Sequence, residues 1–203
     1  MKRKTCKKCH RPLKTCFCHC LKTIDNRWPV WILQHHTEMK HAIGTAKIAA
    51  LSLKSILMMD NREFSANPAL EKQIENASPV LVYPGENNLS LDELQTDAPR
   101  PLLFLDGSWR KTRKLIYEIP LLSTLPRLAI NPQNVSRYRI RKEPNESAVS
   151  TLEAIVYVLS TLEHDDAKYQ SLLDTMDWMI NQQIKYMGED VYRKNYKDTN
   201  QGS

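Results

Sequence analysis

Leu103-Phe104-Leu105-Asp106-Gly107-Ser108-Trp109-Arg110-Lys111-Thr112-Arg113-Lys114 passes from an apolar run to a cationic one within twelve residues. The apolar part reads as a buried strand that ends on a carboxylate. A glycine, a hydroxyl and a tryptophan follow, then four cations in five residues. In an open α/β sheet, ligands bind outside the carboxyl ends of the strands, where side chains and helix N-termini converge. Asp106 therefore stands where a reacting acid would be placed. Arg110, Lys111, Arg113 and Lys114 beside it suit a polyanionic substrate.

Working outward, residues 29–34 (Pro-Val-Trp-Ile-Leu-Gln) read as a buried strand. Residues 37–57 read as one Ala-rich helix with a wide apolar face. Residues 80–83 give a second strand, followed by a short helix near 91–94. Residues 102–105 give a third strand with a helix over 109–118 behind it, and 126–130 a fourth, shorter strand. A basic irregular stretch fills 131–145. Two helices, 151–163 and 167–187, close the pattern, and a polar tail from 188 to 203 is expected to fray. Strands alternating with helices imply an α/β fold, a largely parallel sheet with helices on both faces. The division expected is a basic Cys-rich knuckle over 1–24, a main domain over 25–187 and the tail over 188–203.

The chain has 203 residues, 41% of them hydrophobic, which suffices for a core without disulfides. Its net charge of +6 is unevenly spread. Residues 1–24 hold eight Lys/Arg and no acid; residues 100–142 hold ten against Asp106 and Glu118. Both blocks point to a polyanion, most simply a nucleic acid. No apolar run is long enough to cross a membrane. The cationic N-terminus lacks an apolar stretch behind it, so no signal peptide is expected and the location expected is cytoplasmic.

All five cysteines lie between Cys6 and Cys20. Cys6-x2-Cys9-x6-Cys16-x-Cys18 offers two close thiolate pairs, the donor set of a structural tetrahedral zinc site with no open position for water. His10, His19 and Cys20 are spare ligands that leave the second pair open, and reduced cysteines without metal are the bland alternative. A second constellation is Gln34-His35-His36-Thr37-Glu38, running on to His41 at the end of the first strand. Its histidine spacing is not that of a zinc protease helix, so polar pocket wall and helix cap is the plainer account. Asp106-Gly107-Ser108-Trp109 alone can be a tight turn in which Ser108 caps a helix. Ser150-Thr151-Leu152-Glu153 has the spacing of a capping box, and its helix N-terminus would also attract an anion. Before it, Tyr138-Arg139-Ile140-Arg141 sets two arginines beside an aromatic in a segment without periodicity, which suits phosphate and base contacts. Five glycines supply no phosphate-binding fingerprint and no serine elbow occurs, which argues against nucleoside-triphosphate, dinucleotide and serine-hydrolase chemistry.

In this order the constellations resemble the DTW domain family, from Cys6 to about Leu162. The family start is matched by Cys6, Cys9, Arg11, Pro12, Cys16 and Cys18, and its glutamine-histidine block by Gln34, His35, Glu38 and Ala42, with His41 and Thr45 in register. The naming motif, the Tyr-Arg-x-Arg run and Ser150-Thr151-x-Glu153-Ala154 follow. Ser108 stands where the family has threonine, which keeps the hydroxyl; His36 and Gly44 stand where proline and asparagine are common.

The resemblance implies a tRNA-uridine aminocarboxypropyltransferase with a SPOUT-like fold and a C-terminal trefoil knot. Its co-substrate would be S-adenosylmethionine, whose 3-amino-3-carboxypropyl group goes to N3 of a tRNA uridine as methylthioadenosine leaves. Asp106 would be the general base. Gln34, His35, Glu38, Thr45, Ser108, Trp109, Ser150, Thr151 and Glu153 would face the cofactor. Arg110, Lys111, Arg113, Lys114, Tyr138, Arg139 and Arg141 would hold tRNA, and Cys6, Cys9, Cys16 and Cys18 zinc. A SPOUT-type tRNA methyltransferase and a non-catalytic zinc-knuckle RNA-binding protein are the alternatives, and the oligomeric state stays open.

Overall fold

The computed structural model describes residues 4–39, 44–86, 88–131, 136–139 and 149–197. Strands β1 (Val30–Gln34), β2 (Ile56–Asp60), β3 (Val80–Val82), β4 (Asn88–Leu89), β5 (Leu102–Asp106) and β6 (Arg127–Leu128) form one sheet in the order β2-β1-β5-β3-β6-β4. Every pairing between these strands is parallel. β1 and β5 are buried at all five positions, as strands covered on both faces must be.

Side-chain alternation along the strands divides the interior into two cores. Val30 and Ile32 of β1, with Leu102 and Phe104 of β5, pack under α1 (Ala46–Ser52), α4 (Leu91–Thr96), α7 (Thr151–Glu163) and α8 (Asp166–Met187). Trp31 and Leu33, with Leu103 and Leu105, pack under α2 (Asn61–Ala66), α3 (Pro68–Ala77), α5 (Trp109–Glu118) and α6 (Leu121–Thr124). Tyr169, Leu172, Met176, Met179 and Ile180 place the buried stripe of α8 at helical spacing. The cysteine segment joins the first core directly: Phe17 is 1% exposed and packs in one cluster with Trp28 and Val30.

The expected helix over 37–57 is not one helix. Among the described residues of that span helical structure is confined to α1; Leu53 turns extended, and Ile56-Leu57-Met58-Met59 becomes β2. A short apolar run reads equally as buried strand or helix. What decides it is β1, whose second edge β2 pairs from Val30↔Ile56 to Gln34↔Asp60. α2, α3 and β4 have no counterpart in the sequence reading, and the fourth strand shrinks to Arg127–Leu128. Much of the basic stretch 131–145 lies outside the described residues. The tail packs in part: α9 (Glu189–Tyr192) buries Tyr192 to 5% exposure, with its ring stacked on Tyr196.

Candidate active site and metal centre

Register places the site. Gln34 pairs with Asp60 on one side and Asp106 on the other, so three strands end in polar side chains along one carboxyl edge. Asp106 is 8% exposed and Gln34 5%. Gln34 Nε2 donates to Asp106 Oδ2 at 2.6 Å, and Thr151 Oγ1 donates to Oδ1 at 2.6 Å. A buried carboxylate is tolerable when its oxygens are hydrogen-bonded in this way. Thr151 is delivered by the first turn of α7, where Ser150 and Glu153 form the expected capping box.

Gly107 follows Asp106 for a reason other than turn geometry. A Cβ there would stand 3.1 Å from Lys111 Cβ and 3.6 Å from His35 Cβ. A side chain there would require α5 to give by a few tenths of an ångström, while His35 stands at ordinary contact distance. Ser108 occupies the N-cap position of α5, yet its hydroxyl makes no capping hydrogen bond and stays exposed.

Two cavities open on this edge. The smaller, about 170 Å³, has apolar walls from Val82, Leu105, Leu128 and Ala154. Tyr83 and Trp109 line it too, tilted together with centroids 5.6 Å apart, beside Ser150 and Thr151. Trp109 is 43% exposed, and the Arg127 guanidinium lies 5.8 Å from the Tyr83 ring centroid. The larger, about 630 Å³, lies between the cysteine segment and the ends of β1 and β2. Gln34, Glu38, Lys47 and Asp60 line it, with His10 and Arg11 from the cysteine segment. The residues expected to face one cofactor are thus divided: Gln34 and Glu38 line one cavity, Trp109, Ser150 and Thr151 the other.

Others of that set line neither cavity. Thr45 is buried at the N-cap position of α1. His35 is 6% exposed, its Nδ1 2.9 Å from Thr37 Oγ1 and its ring stacked on His36. Burial, then His36 and the cations Lys111 and Lys114, push its imidazole below the ordinary value. Glu153 accepts from the backbone N–H of Ser150 and Arg137 and from the Ser136 hydroxyl, so it pins residues 136–139 to α7.

The cations also divide. Lys111 is ion-paired with Glu38, while Lys114 meets Glu118 only at an exposed 3.4 Å. Arg110 and Arg113 are exposed. Tyr138 packs against the first core, and exposed Arg139 donates to Asn181 Oδ1 at 2.6 Å. Arg137 is ion-paired with Asp177. Arg141 lies outside the described residues, as do His41 and Ala42. Sequence reading missed Tyr83, Arg127 and Lys47; the one signal for the first was Tyr83-Pro84-Gly85 directly after a strand.

The Sγ atoms of Cys6, Cys9, Cys16 and Cys18 all lie within 4.8 Å of one another. Cys6–Cys18 and Cys9–Cys16 are each 3.7 Å apart, close to the edge of about 3.8 Å of a tetrahedron with metal–sulfur bonds of about 2.3 Å. The spare ligands His10, His19 and Cys20 are not among the donor atoms gathered in this cluster. His19 packs edge-on against Trp178, and Cys20 contributes its carbonyl to the Thr175 hydroxyl. The N–H groups of Cys9 and Lys8 pull the Cys6 thiol down to about 6, whereas burial and the neighbouring sulfurs push Cys18 up. One proton leaves readily and later ones resist, a resistance that a cation among the sulfurs removes. Arg11, 5% exposed, donates to the Thr15 carbonyl and lies against the Phe17 ring. Burial lowers its pKa, and the nearby Cys9, Tyr138 and Cys16 oppose that.

The DTW domain family profile matches residues 3–184. The chain is 27% identical over 193 residues to tRNA-uridine aminocarboxypropyltransferase 2 of Drosophila melanogaster, across 90% of this chain and 76% of the relative. It is 25% identical to the protein of that name in Macaca fascicularis, across 91% of this chain and 65% of the relative. To tRNA-uridine aminocarboxypropyltransferase A of Arabidopsis thaliana it is 23% identical, across 92% and 83%. No solved structure matches it. With the cysteine cluster, the Gln34 block, Asp106 and the Ser150 cap in one arrangement and the profile spanning nearly the whole chain, the protein belongs to the DTW domain family.

Proposed function

We propose that this protein transfers the 3-amino-3-carboxypropyl group of S-adenosylmethionine to N3 of a tRNA uridine. The observation that carries the reading is Asp106, a buried carboxylate at the sheet's carboxyl edge, held on both oxygens by Gln34 and Thr151, each of which lines a cavity. The names of the relatives support the reaction class. S-adenosylmethionine would supply the electrophilic carbon, with methylthioadenosine leaving on the sulfur. A uridine imide is a poor nucleophile until its proton departs. Each oxygen of Asp106 has two lone pairs, so it can accept that proton while Gln34 and Thr151 hold it in position. The new N–C bond forms as the C–S bond breaks, and the electron pair leaves with the sulfur. Which carbon is transferred is decided by how the donor is oriented, not by the base.

Trp109 and Tyr83 offer ring faces suited to a heteroaromatic and a sulfonium. Exposed Arg110, Arg113 and Lys114 suit tRNA phosphates, and Tyr138, Arg139 and Arg141 would add to that contact. Cys6, Cys9, Cys16 and Cys18 would hold a structural zinc, because four sulfur donors leave no open coordination position. The reading carries with it the SPOUT-like fold with a C-terminal knot; the all-parallel sheet agrees with the α/β part of that expectation.

The test is incubation with tRNA and S-adenosylmethionine labelled either on the methyl or on the carboxyl carbon. Label reaching tRNA only from the carboxyl carbon is expected. Label only from the methyl would make the protein a methyltransferase, and label from neither a binding protein.

A further inference from the structure

α5 has two opposite faces. Thr112 and Leu115 are buried, Ile116 packs against the second core, and Ile119 just past the last turn is buried with them. Arg110, Arg113, Lys114 and Tyr117 recur at i, i+3, i+4 and i+7, so they share the other face, and all four are exposed. Tyr117 is 88% exposed, whereas no other large apolar side chain among the described residues exceeds 57%. A single exposed aromatic is ordinary on a protein surface. What distinguishes this one is its company, three cations on the same stripe within about two helical turns. The only acid in α5, Glu118, meets Lys114 at 3.4 Å in solvent. Such a pair is worth little and is readily exchanged for a phosphate.

We propose that Tyr117 is an RNA-binding residue whose ring stacks on an unpaired base while Arg110, Arg113 and Lys114 hold the phosphates of the same strand. The proposal rests on the reading of the protein as a tRNA enzyme and deepens it. A cationic stripe alone would hold any polyanion. An aromatic at its end adds a ring face, which a base can use only when it is free of a duplex stack. Stripe and site are continuous. Trp109, the first residue of α5, lines the smaller cavity at the sheet's carboxyl edge. Tyr117 stands eight residues on, about 12 Å along the helix axis. A strand that offers a uridine to that edge therefore lays its neighbouring nucleotides along α5. An acidic protein segment would satisfy the cations, but its carboxylates leave the ring without a partner.

The experiment measures equilibrium binding of the full chain over a range of salt concentrations. The probes are tRNA, a single-stranded uridine-containing RNA oligonucleotide and the blunt duplex of that oligonucleotide. Tyr117→Ala is expected to weaken the first two about tenfold, as loss of one base stack does, and to leave the duplex within about twofold. It puts a better helix former on an exposed face, so folding is not expected to suffer. Tyr117→Phe keeps the ring and should bind within about twofold of wild type. Salt separates the two kinds of contact: Arg113→Ala should flatten the slope of log K against log salt by about one, whereas Tyr117→Ala should leave the slope unchanged. Four results would each overturn the proposal. They are wild-type affinity in Tyr117→Ala, equal losses for single strand and duplex, failure of Tyr117→Phe to restore binding, and no binding of the single strand by the wild-type protein. The first would leave the stripe to an acidic protein partner. The proposed transfer fails separately, when the wild-type protein moves no carboxyl label to tRNA. The Tyr117 contact would then still stand, as that of an RNA-binding protein.

Discussion

Asp106 is held at both oxygens by neutral donors, an amide from β1 and a hydroxyl from α7. Its removal can therefore be made nearly isosteric. Asp106→Asn keeps the volume and one carbonyl acceptor but takes away the site for a proton. Loss of a positioned general base slows chemistry by about 10²–10⁴-fold. We expect kcat to fall at least 100-fold with S-adenosylmethionine and tRNA affinities little changed, measured by single-turnover transfer and equilibrium binding. Full transfer activity in the variant would remove Asp106 from the role of base. His35 gives a second prediction, for pH. Its folded pKa lies below the ordinary imidazole value of about 6.5, so the folded state binds fewer protons than the unfolded chain as pH falls through that value. Its environment therefore costs nothing at high pH and destabilises progressively on acidification. His35→Gln should lose less thermal stability than wild type between pH 7.5 and 5. Equal losses would show that another group governs that window.

At the scale of elements, legibility followed how many signals agreed. α5 and α7 match their expected bounds, because each has a start signal and one apolar face. For α7 the signal is physical: Ser150 and Glu153 exchange hydrogen bonds with each other's backbone. Ser150→Ala should cost about 1 kcal/mol and move Thr151 away from Asp106, lowering transfer as well as stability. Glu153→Gln should weaken the hold on residues 136–139, seen as faster amide exchange at Arg137 and Tyr138. Unchanged exchange there would mean that Arg137–Asp177 and Arg139–Asn181 suffice. β2 was not legible, since Ile56-Leu57-Met58-Met59 carries no period of its own and became a strand by pairing with β1. The candidate site was legible as a set of residues but not as an arrangement. Nothing in the spacing of Gln34, Thr151 and Asp106 shows that two of them grip the third, or that Gln34 and Trp109 open on different cavities. Those facts come from register and from where α7 begins.

At the scale of the molecule, the cysteine segment has too little apolar surface to fold alone, yet it closes one end of the first core. Phe17 and Cys9 are buried in the same cluster as Trp28, Val30 and the α7–α8 pair. Arg11 and His10 from the same segment line the large chamber. A metal held by Cys6, Cys9, Cys16 and Cys18 would thus stabilise the whole fold rather than a separate module, and would shape the chamber. Binding to the folded state alone raises stability by mass action. Without it, the least loss expected is the burial of Phe17, about 1.5–3 kcal/mol. At about 2–4 °C per kcal/mol for a chain of this size, the melting temperature should fall by about 3–12 °C after chelation. Calorimetry should show one transition throughout, displaced downward, because the segment and the sheet share a core. Readdition of one equivalent of zinc should restore it. Two separate transitions, or a melting temperature indifferent to the chelator, would mean that the segment is secured by Phe17 and Arg11 without any metal.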